Sequence, residues 1–393
     1  MATVNWVTWA YNWYIERWPW ANVGLRTWGE NLRRGLSWDN DSFRDNQFLH
    51  PYHGSLYHNS ARASGFGFWG SLPFVALGSA TWEFFGENII ASPNDLINTT
   101  LGGIALGEVT FRLSRMVGNG SGSHSLGRAV GSFAVSPMAA AQGLLDPASR
   151  RNTVSPLAPS GEPAVVALGR RSDHPFMELA LRYGDPFADG ALRPYDAFDF
   201  RLLVSPDGGE LIQQMEISGL LARSLSGSPG DRVALGIYQH YDYENLADFK
   251  FGGHSLSAAL MYRRDLGNGS RLTLDTHAEA ILLGGITSDE GLAWRRDYDL
   301  GPGVGARLGA SLVRHGREWL RLDGRVAWLH SIHGSPGNHL ASFLRMGSTI
   351  PVVGPVGLGG DLAVAFRHSS YPDMPSVHQR VPQFRAYLTW SPM

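Results

Sequence analysis

The stretch "RLTLDTHAEAIL" (residues 271–282) places Leu272, Leu274, Ala278 and Ala280 on one set of alternate positions, and Arg271, Thr273, Asp275, His277 and Glu279 on the other. Successive side chains of a β-strand point to opposite faces, so this is a strand with one apolar and one charged face. The pattern recurs. "RVALGIYQHYD" from Arg232 sets Val233, Leu235 and Ile237 against Ala234, Gly236, Tyr238, His240 and Asp242. "WLRLDGRVAW" sets Leu320, Leu322, Val326 and Trp328 against Arg321, Asp323 and Arg325. "VGLGGDLAVAFRH" opposes Val356, Leu358, Leu362, Val364 and Phe366 to Gly357, Gly359, Asp361 and Arg367. The last run, "FRAYLTW", opposes Phe384, Ala386, Leu388 and Trp390 to Arg385, Tyr387 and Thr389. Turn-forming clusters separate the runs: "SPDGGE" at 205–210, "GNGS" at 267–270, "RHGRE" at 314–318 and "GSPGN" at 334–338.

Alternation of this kind suits a water-soluble sheet or a membrane barrel. In the first the apolar face is the core; in the second it meets lipid and the charged face lines the lumen. Three features favour the barrel. The strands form an unbroken hairpin meander, the apolar faces end in Tyr298, Trp328 and Trp390 as an aromatic girdle would, and an aromatic strand closes the chain. The expected class is therefore mixed: an N-terminal helical module followed by a transmembrane antiparallel β-barrel of about twelve strands. A soluble β domain is excluded if the apolar faces form a continuous outward belt.

Composition agrees. The chain has 393 residues, a net charge of −2, 48 glycines, 13 tryptophans and no cysteine. The charge leaves no electrostatic footprint for nucleic acid. Without cysteine there is no disulfide, thiolate metal site or thiol nucleophile. Tryptophan and tyrosine interspersed with glycine suit a lipid–water boundary. "MATVNWVTWAYNWYIERWPW" lacks the basic start and apolar core of a signal peptide, so the sequence reads as a mature form with an added methionine, or as a fragment.

The period changes before residue 151. A Trp-rich segment (1–37), a helical module (38–150), a linker (151–163) and the barrel (164–393) are expected. "SPND" opens a helix, with Ser92 as N-cap, Pro93 in the first helical position and Asp95 facing the free N–H groups, and the helix runs to about Met116. A helix over about Gly70–Ile90 precedes it, and another begins at Pro51. The apolar window 63–82 carries too many polar and small residues to be a span and reads as a packed helix.

Several blocks of this half carry a resemblance. His-Pro-Tyr at 50–52, Ala-Arg at 61–62, Trp-Glu at 82–83, Asn-Asp at 94–95, Gly-Gly at 102–103 and Gly-Glu at 107–108 follow one another within residues 38–146. This order resembles the bacterial domain-of-unknown-function family 3943. The resemblance implies an envelope protein of Gram-negative bacteria with a helical block joined to a barrel, and it carries no mechanism.

The candidate chemistry lies in that block. Glu83 and Glu87, four residues apart on one helix, form either a carboxylate pair for a cation or acid–base work, or partners of a cation such as Arg62; the second is the plainer reading. Asp95 has a sufficient role at the helix start. Glu108 has Arg112 one turn on, the favourable order for an intrahelical pair. Gly102 and Gly103 admit a neighbouring helix. "HPYHGSLYH" brings His50, His53 and His58, with His53 and Tyr57 on one helical face. His50, His53, Glu83, Glu87 and Asp95 form the candidate catalytic or metal set; Tyr52, Tyr57, Arg62, Asn94, Thr99, Glu108 and Arg112 form the candidate binding set. "WDNDSFRDNQ" (38–47) hints at a calcium loop but lacks the glycine and closing glutamate, so it reads as a polar loop. In the barrel, the Arg321/Asp323/Arg325 and Arg271/Asp275/Glu279 rows are expected to brace the lumen.

Two functions follow. The first is an integral outer-membrane barrel whose helical module plugs the lumen or docks on the periplasmic side, with a structural role or with binding or passage of a small or lipidic molecule. Its partners would be membrane lipid and, during biogenesis, the outer-membrane assembly machinery, with no nucleic acid. The second is an outer-membrane enzyme, hydrolase-like and metal-assisted, acting on a lipid or other envelope substrate. The sequence identifies no cofactor and no particular metal.

Overall fold

The computed structural model describes residues 1–119, 126–145, 165–171, 174–206, 210–246, 249–288 and 297–390. The expected linker at 151–163 lies outside them. The chain forms two compact units, Met1–Pro156 and Leu157–Met393. The tryptophan-rich start falls within the first unit.

That unit is helical: α1 (Ala2–Ala10), α2 (Leu25–Arg34), α3 (His50–Ala63), α4 (Phe68–Phe85), α5 (Pro93–Asn119), α6 (Leu126–Val135) and α7 (Pro137–Leu145). α4 begins at Phe68, two residues before the expected Gly70, so Pro73 falls inside the helix rather than in its first turn and removes the N–H that would bond the Trp69 carbonyl. Ser92 caps α5, its Oγ accepting the Asp95 N–H at 3.3 Å. α4 ends at Phe85, short of the expected Ile90. Gly86 follows because the Trp82 indole folds back over it: a β-carbon there would lie 2.6 Å from the ring. Glu87 is thereby outside the helix, and the shared helical face expected of Glu83 and Glu87 does not form. Among the described residues no helix is long and apolar enough to cross a membrane.

The second unit is a closed antiparallel barrel of twelve strands in which each strand pairs with its chain neighbour and the first pairs with the last. The strands are β1 (Val165–Arg171), β2 (His174–Tyr183), β3 (Phe198–Val204), β4 (Ile212–Ser228), β5 (Asp231–Leu246), β6 (Phe249–Gly267), β7 (Ser270–Thr287), β8 (Tyr298–Arg314), β9 (Arg317–His330), β10 (Asn338–Val353), β11 (Val356–Ser370) and β12 (Val377–Trp390). Apart from β1, β2 and β3, the strands are 14–19 residues long, above the ~9–11 residues that cross a bilayer at a tilt. Two hairpins turn on residues with positive φ, Asn268–Gly269 and His315–Gly316, the geometry that matches strand twist in two-residue turns.

Exposure follows the alternation. Leu235, Ile237, Leu260, Leu274, Val304, Leu308, Leu322, Val326, Leu344, Leu362 and Leu388 stand exposed on the outer wall. Trp328 and Trp390 join them, but Tyr298, expected in the same girdle, is fully buried. The inner wall carries the charge. Glu178 on β2 bonds Arg385 on β12 at 2.9 Å and Arg345 on β10 at 3.2 Å, and Asp361 bonds both arginines at 2.7 Å. Arg201 on β3 reaches Asp323 on β9, six strands round the barrel, at 3.7 Å. A second group joins Asp242 to Arg325 at 2.6 Å and to Arg307, which also meets Glu279. Arg271 of the expected lumen rows instead pairs with Asp265 near a turn, at 3.2 Å. Beyond the ionic layer, Leu246, Phe249, Phe251, Ile281, Ile286 and Leu329 pack together inside, and the Arg325 guanidinium lies 4.1 Å from the Phe343 ring centre. A cavity of about 360 Å³ remains on the other side, toward the end where β1 starts and β12 finishes.

Candidate functional site

The site is built on the seam between α3 and α5. His50, Gly54, His58 and Arg62 recur every four residues and so form one stripe of α3. His50 meets Asp95 and Thr99, Gly54 meets Thr99 and Gly103, His58 meets Gly107 and Glu108, and Arg62 meets Glu108. The partners advance in the same direction, so the two helices run parallel. A β-carbon on Gly54 would lie 1.8 Å from the Thr99 carbonyl oxygen, and one on Gly103 would lie 2.5 Å from the Gly54 backbone. Backbone touches backbone there, as small residues allow. Gly103 serves the role expected of it. The close seam fixes two polar nodes, one at each end.

The node near the C-terminus of α3 is balanced by cations. Glu108, fully buried, accepts from Arg62 Nε at 2.8 Å, Arg112 Nε at 2.8 Å and His58 Nε2 at 3.0 Å. Burial alone would raise its carboxyl, but the His58 bond and the arginine charges outweigh this and hold it at about 2. Burial lowers His58, keeping its imidazole neutral. The expected Glu108–Arg112 pair is present. Arg62 also belongs here, and so it does not partner Glu83 or Glu87.

The node at the start of both helices is acidic. A bridge between Leu36 and Ala91 lays the segment after Leu36 beside the start of α5. Asp39 and Asp41 therefore arrive next to Asn94 and Asp95. His50 Nε2 lies 3.2 Å from Asp95 Oδ1, and its Nδ1 lies 3.1 Å from Thr99 Oγ1. Asn94 donates to Asp39 Oδ2 at 2.9 Å, to Asn46 Oδ1 at 2.6 Å and to Asp95 Oδ1 at 3.0 Å. Asn46 donates to Asp39 Oδ1 at 3.1 Å. Glu83 Oε2 accepts the Ser92 N–H at 3.0 Å, and Glu87 accepts the Trp82 indole N–H. Among the described residues, Glu83, Glu87 and Asp95 meet no arginine or lysine.

The electrostatics follow from that arrangement. Burial raises Asp95 well above the usual carboxylate range, and neighbouring Asp39 adds to this. Glu83 is raised by burial and then by Glu87, while burial pushes Glu87 up to about 8. Burial, then the charges of Asp39 and Asp45, put Asp41 at about 6. Asp39 goes the other way: its hydrogen bonds overcome burial and hold it well below the usual range. Burial lowers His50 despite the nearby acids and, with His50 beside it, brings His53 to about 3. Protonated carboxyls and neutral imidazoles thus stand side by side, a pattern concentrated at working sites.

The structure sorts the candidates. His50 and Asp95 meet directly, joined by Thr99 and Asn94. Glu83 is linked through Ser92, which also bonds Asn94 at 2.6 Å. Glu87 and His53 stand apart around Trp82, with His53 Nε2 3.0 Å from the Tyr57 hydroxyl and its ring edge-on to the indole at 4.9 Å. Tyr57 also donates to Asn5 Oδ1. Tyr52 points outward, 42% exposed. Sequence reasoning missed Asp39, Asp41 and Asn46. Their signal was the "WDNDSFRDNQ" run, set aside because it closes no calcium loop by itself; the side chains that complete the node come from α3 and α5.

Residues 35–138 match the family described as Domain of unknown function (DUF3943). No curated protein matches the chain. Among solved structures, the NanC porin is 8% identical with a TM-score of 0.30, covering 58% of this chain and 100% of its own. The KdgM porin is 6% identical with a TM-score of 0.27, over 58% of this chain and 99% of its own. OmpT, an outer membrane protein of Vibrio cholerae, is 5% identical with a TM-score of 0.21, over 57% of this chain and 94% of its own. The barrel rests on its own closed strand ladder rather than on these likenesses.

Proposed function

We propose that this chain is an integral outer-membrane protein whose barrel anchors the helical unit, and that the acidic node of the helical unit is its working part. One observation carries the location: the closed barrel exposes leucine, valine and tryptophan outward and keeps glutamate, aspartate and arginine inside. In water that surface would be an apolar patch far larger than soluble proteins tolerate; in lipid it is the expected wall. Four of the five connections at the end holding both barrel termini are two residues long, 229–230, 268–269, 315–316 and 354–355, and the fifth, 184–197, is longer. Short turns are typical of the periplasmic side, which supports a periplasmic position for this end of the barrel.

The interior supports binding over passage. Ion pairs bridge opposite walls, and an apolar cluster around Phe249, Phe251 and Phe343 packs inside the barrel beyond them. The remaining cavity is a cup of about 360 Å³, a size that suits a small or lipidic molecule. Membrane lipid and the outer-membrane assembly machinery are the partners this reading implies. The test is fractionation of cells expressing the full chain, with a heat-modifiability gel. Recovery in the outer membrane, with faster migration before boiling, supports the reading. A soluble protein whose migration boiling does not change overturns it.

An enzymatic reading on a lipid or other envelope substrate has one observation in its favour. The His50 imidazole, lowered by burial, and the Asp95 carboxyl, raised by burial, lie 3.2 Å apart, a pairing suited to a proton acceptor and donor. Turnover of an acyl-ester lipid analogue that disappears in His50→Gln supports it; equal turnover in both proteins refutes it.

A further inference from the structure

We propose that His50, Asp95 and Asp41 bind one first-row divalent cation, with Thr99 orienting the imidazole. The inference deepens the reading of the acidic node as the working part and does not depend on where the barrel resides.

The two ends of the seam differ in a telling way. Glu108 sits among two guanidiniums and a histidine. At the other end, among the described residues, Asp95 meets His50 but no arginine or lysine, and Glu83, one serine away, has no cation. Buried carboxylates need a partner charge or a proton. A divalent ion supplies that charge, and the geometry is suited to it. One ligand atom from each of Asp41, His50 and Asp95 lies within 4.8 Å of the others. Donors held ~2.0–2.2 Å from one ion are separated by at most ~4.4 Å, so a small side-chain adjustment closes the set.

The surroundings also fit. A metal-bound imidazole donates its other N–H to an oxygen that fixes the ring, and His50 Nδ1 has Thr99 Oγ1 at 3.1 Å. His50 Nε2 is then left with its lone pair toward Asp95, free to ligate the ion. The independent sign of a missing ligand shell is Asn98. It is fully buried, and neither of its side-chain polar atoms has a partner. Asn98 follows Asn94 by one turn of α5, on the arc between Asn94 and Asp95, and helical side chains lean toward the N-terminus, which puts it on the node's side of the helix. Asp41 is exposed, which leaves a route in from solvent and open positions for water or substrate. One imidazole with two carboxylates and no thiolate suits manganese, iron or zinc; calcium prefers oxygen ligands throughout.

The test uses the full chain in detergent, stripped with chelator and titrated with Mn²⁺ under electron paramagnetic resonance, then with Zn²⁺ by calorimetry and with Ca²⁺ as contrast. The outer-wall pair His368 and His378, with Nδ1 atoms 3.1 Å apart, is a second place for zinc, so the zinc titration is repeated in His378→Asn. The expected result is one Mn²⁺ per chain. Affinity should fall ~10–100-fold in Thr99→Val, the range for losing a partner that orients a ligand. It should fall at least as far in Asp95→Asn and Asp41→Asn, and stay unchanged in Glu30→Gln, whose carboxylate pairs with Arg26 on α2. Asp41 is exposed, so its variant keeps the fold even if the Asp95 variant does not. No Mn²⁺ uptake by folded wild-type protein overturns the proposal, as does uptake that Asp41→Asn and Thr99→Val leave intact. Failure of outer-membrane fractionation would leave this stoichiometry untouched, so the two readings fail separately.

Discussion

Replacing Glu108 with glutamine tests the balanced node of the seam. The change keeps the shape of the side chain and removes its charge. Arg112 is 3% exposed and loses a carboxylate partner at 2.8 Å, while Arg62 loses a two-point contact at 2.8 and 3.2 Å. Breaking a buried pair from one side costs about 3–5 kcal/mol. For a unit of this size each kcal/mol moves the melting temperature by about 2–4 °C, so the helical unit of Glu108→Gln should melt on the order of 6–20 °C lower. The readout is the helical far-UV signal of the full chain, because two units need not melt together. Glu108→Gln combined with Arg112→Gln should recover part of the loss, since the second change removes the stranded charge. The pH dependence has a definite sign. The folded carboxyl is held at about 2, below its ordinary 4.5, so its stabilisation is complete above the ordinary value and is lost as pH falls from there toward 2. Wild-type protein should lose helical stability across that window more steeply than the variant. A melting shift within about 2 °C of zero, or identical acid limbs, would refute the idea that buried charge pairing holds this end of the seam.

Gly54→Ala should separate α3 from α5, since the new methyl would sit 1.8 Å from a carbonyl oxygen that cannot rotate away; a loss at or above the usual overpacking range of about 1–3 kcal/mol is expected in the same melt, and wild-type stability would count against the close seam. Leu362→Arg places a charge on the outer wall at a residue 55% exposed; lipid makes this cost about 2–4 kcal/mol near the bilayer midplane, so the folded, fast-migrating band should diminish, whereas a water-facing wall would leave it unaffected. Planar-bilayer recordings of the full barrel should show no steady open-pore steps, because Arg201 and Asp323 join opposite walls and an apolar cluster packs inside beyond them; large ohmic steps in wild type would overturn the closed interior. Glu178→Gln should loosen the barrel, lowering the temperature at which it ceases to run as the compact form, because Arg345 and Arg385 lose a shared acceptor.

The strand alternation was enough to specify the strands and their two faces, because a period of two is a local property: Leu272, Leu274 and Glu279 take their faces from the backbone alone. The two-residue turns at Asn268–Gly269 and His315–Gly316 were equally local, since few residues tolerate a positive φ. Ser92 as a cap and the Glu108–Arg112 pair lie within one or two helical turns and could be read the same way. Tertiary structure decided the rest. Whether Arg62 neutralises Glu83 or Glu108 depends on the depth to which Gly54 and Gly103 let two helices approach, which no spacing along one helix records. Glu87 left its helix because an indole folded over Gly86. Tyr298, expected in the girdle, is buried with its neighbours Asp299 and Leu300. Asp39 and Asp41 became part of a site only when the Leu36–Ala91 bridge carried them to His50 and Asp95. Periodicity determines which face a side chain occupies; the charge it meets there is set by a partner some fifty residues away, through contacts that form only when the chain closes on itself.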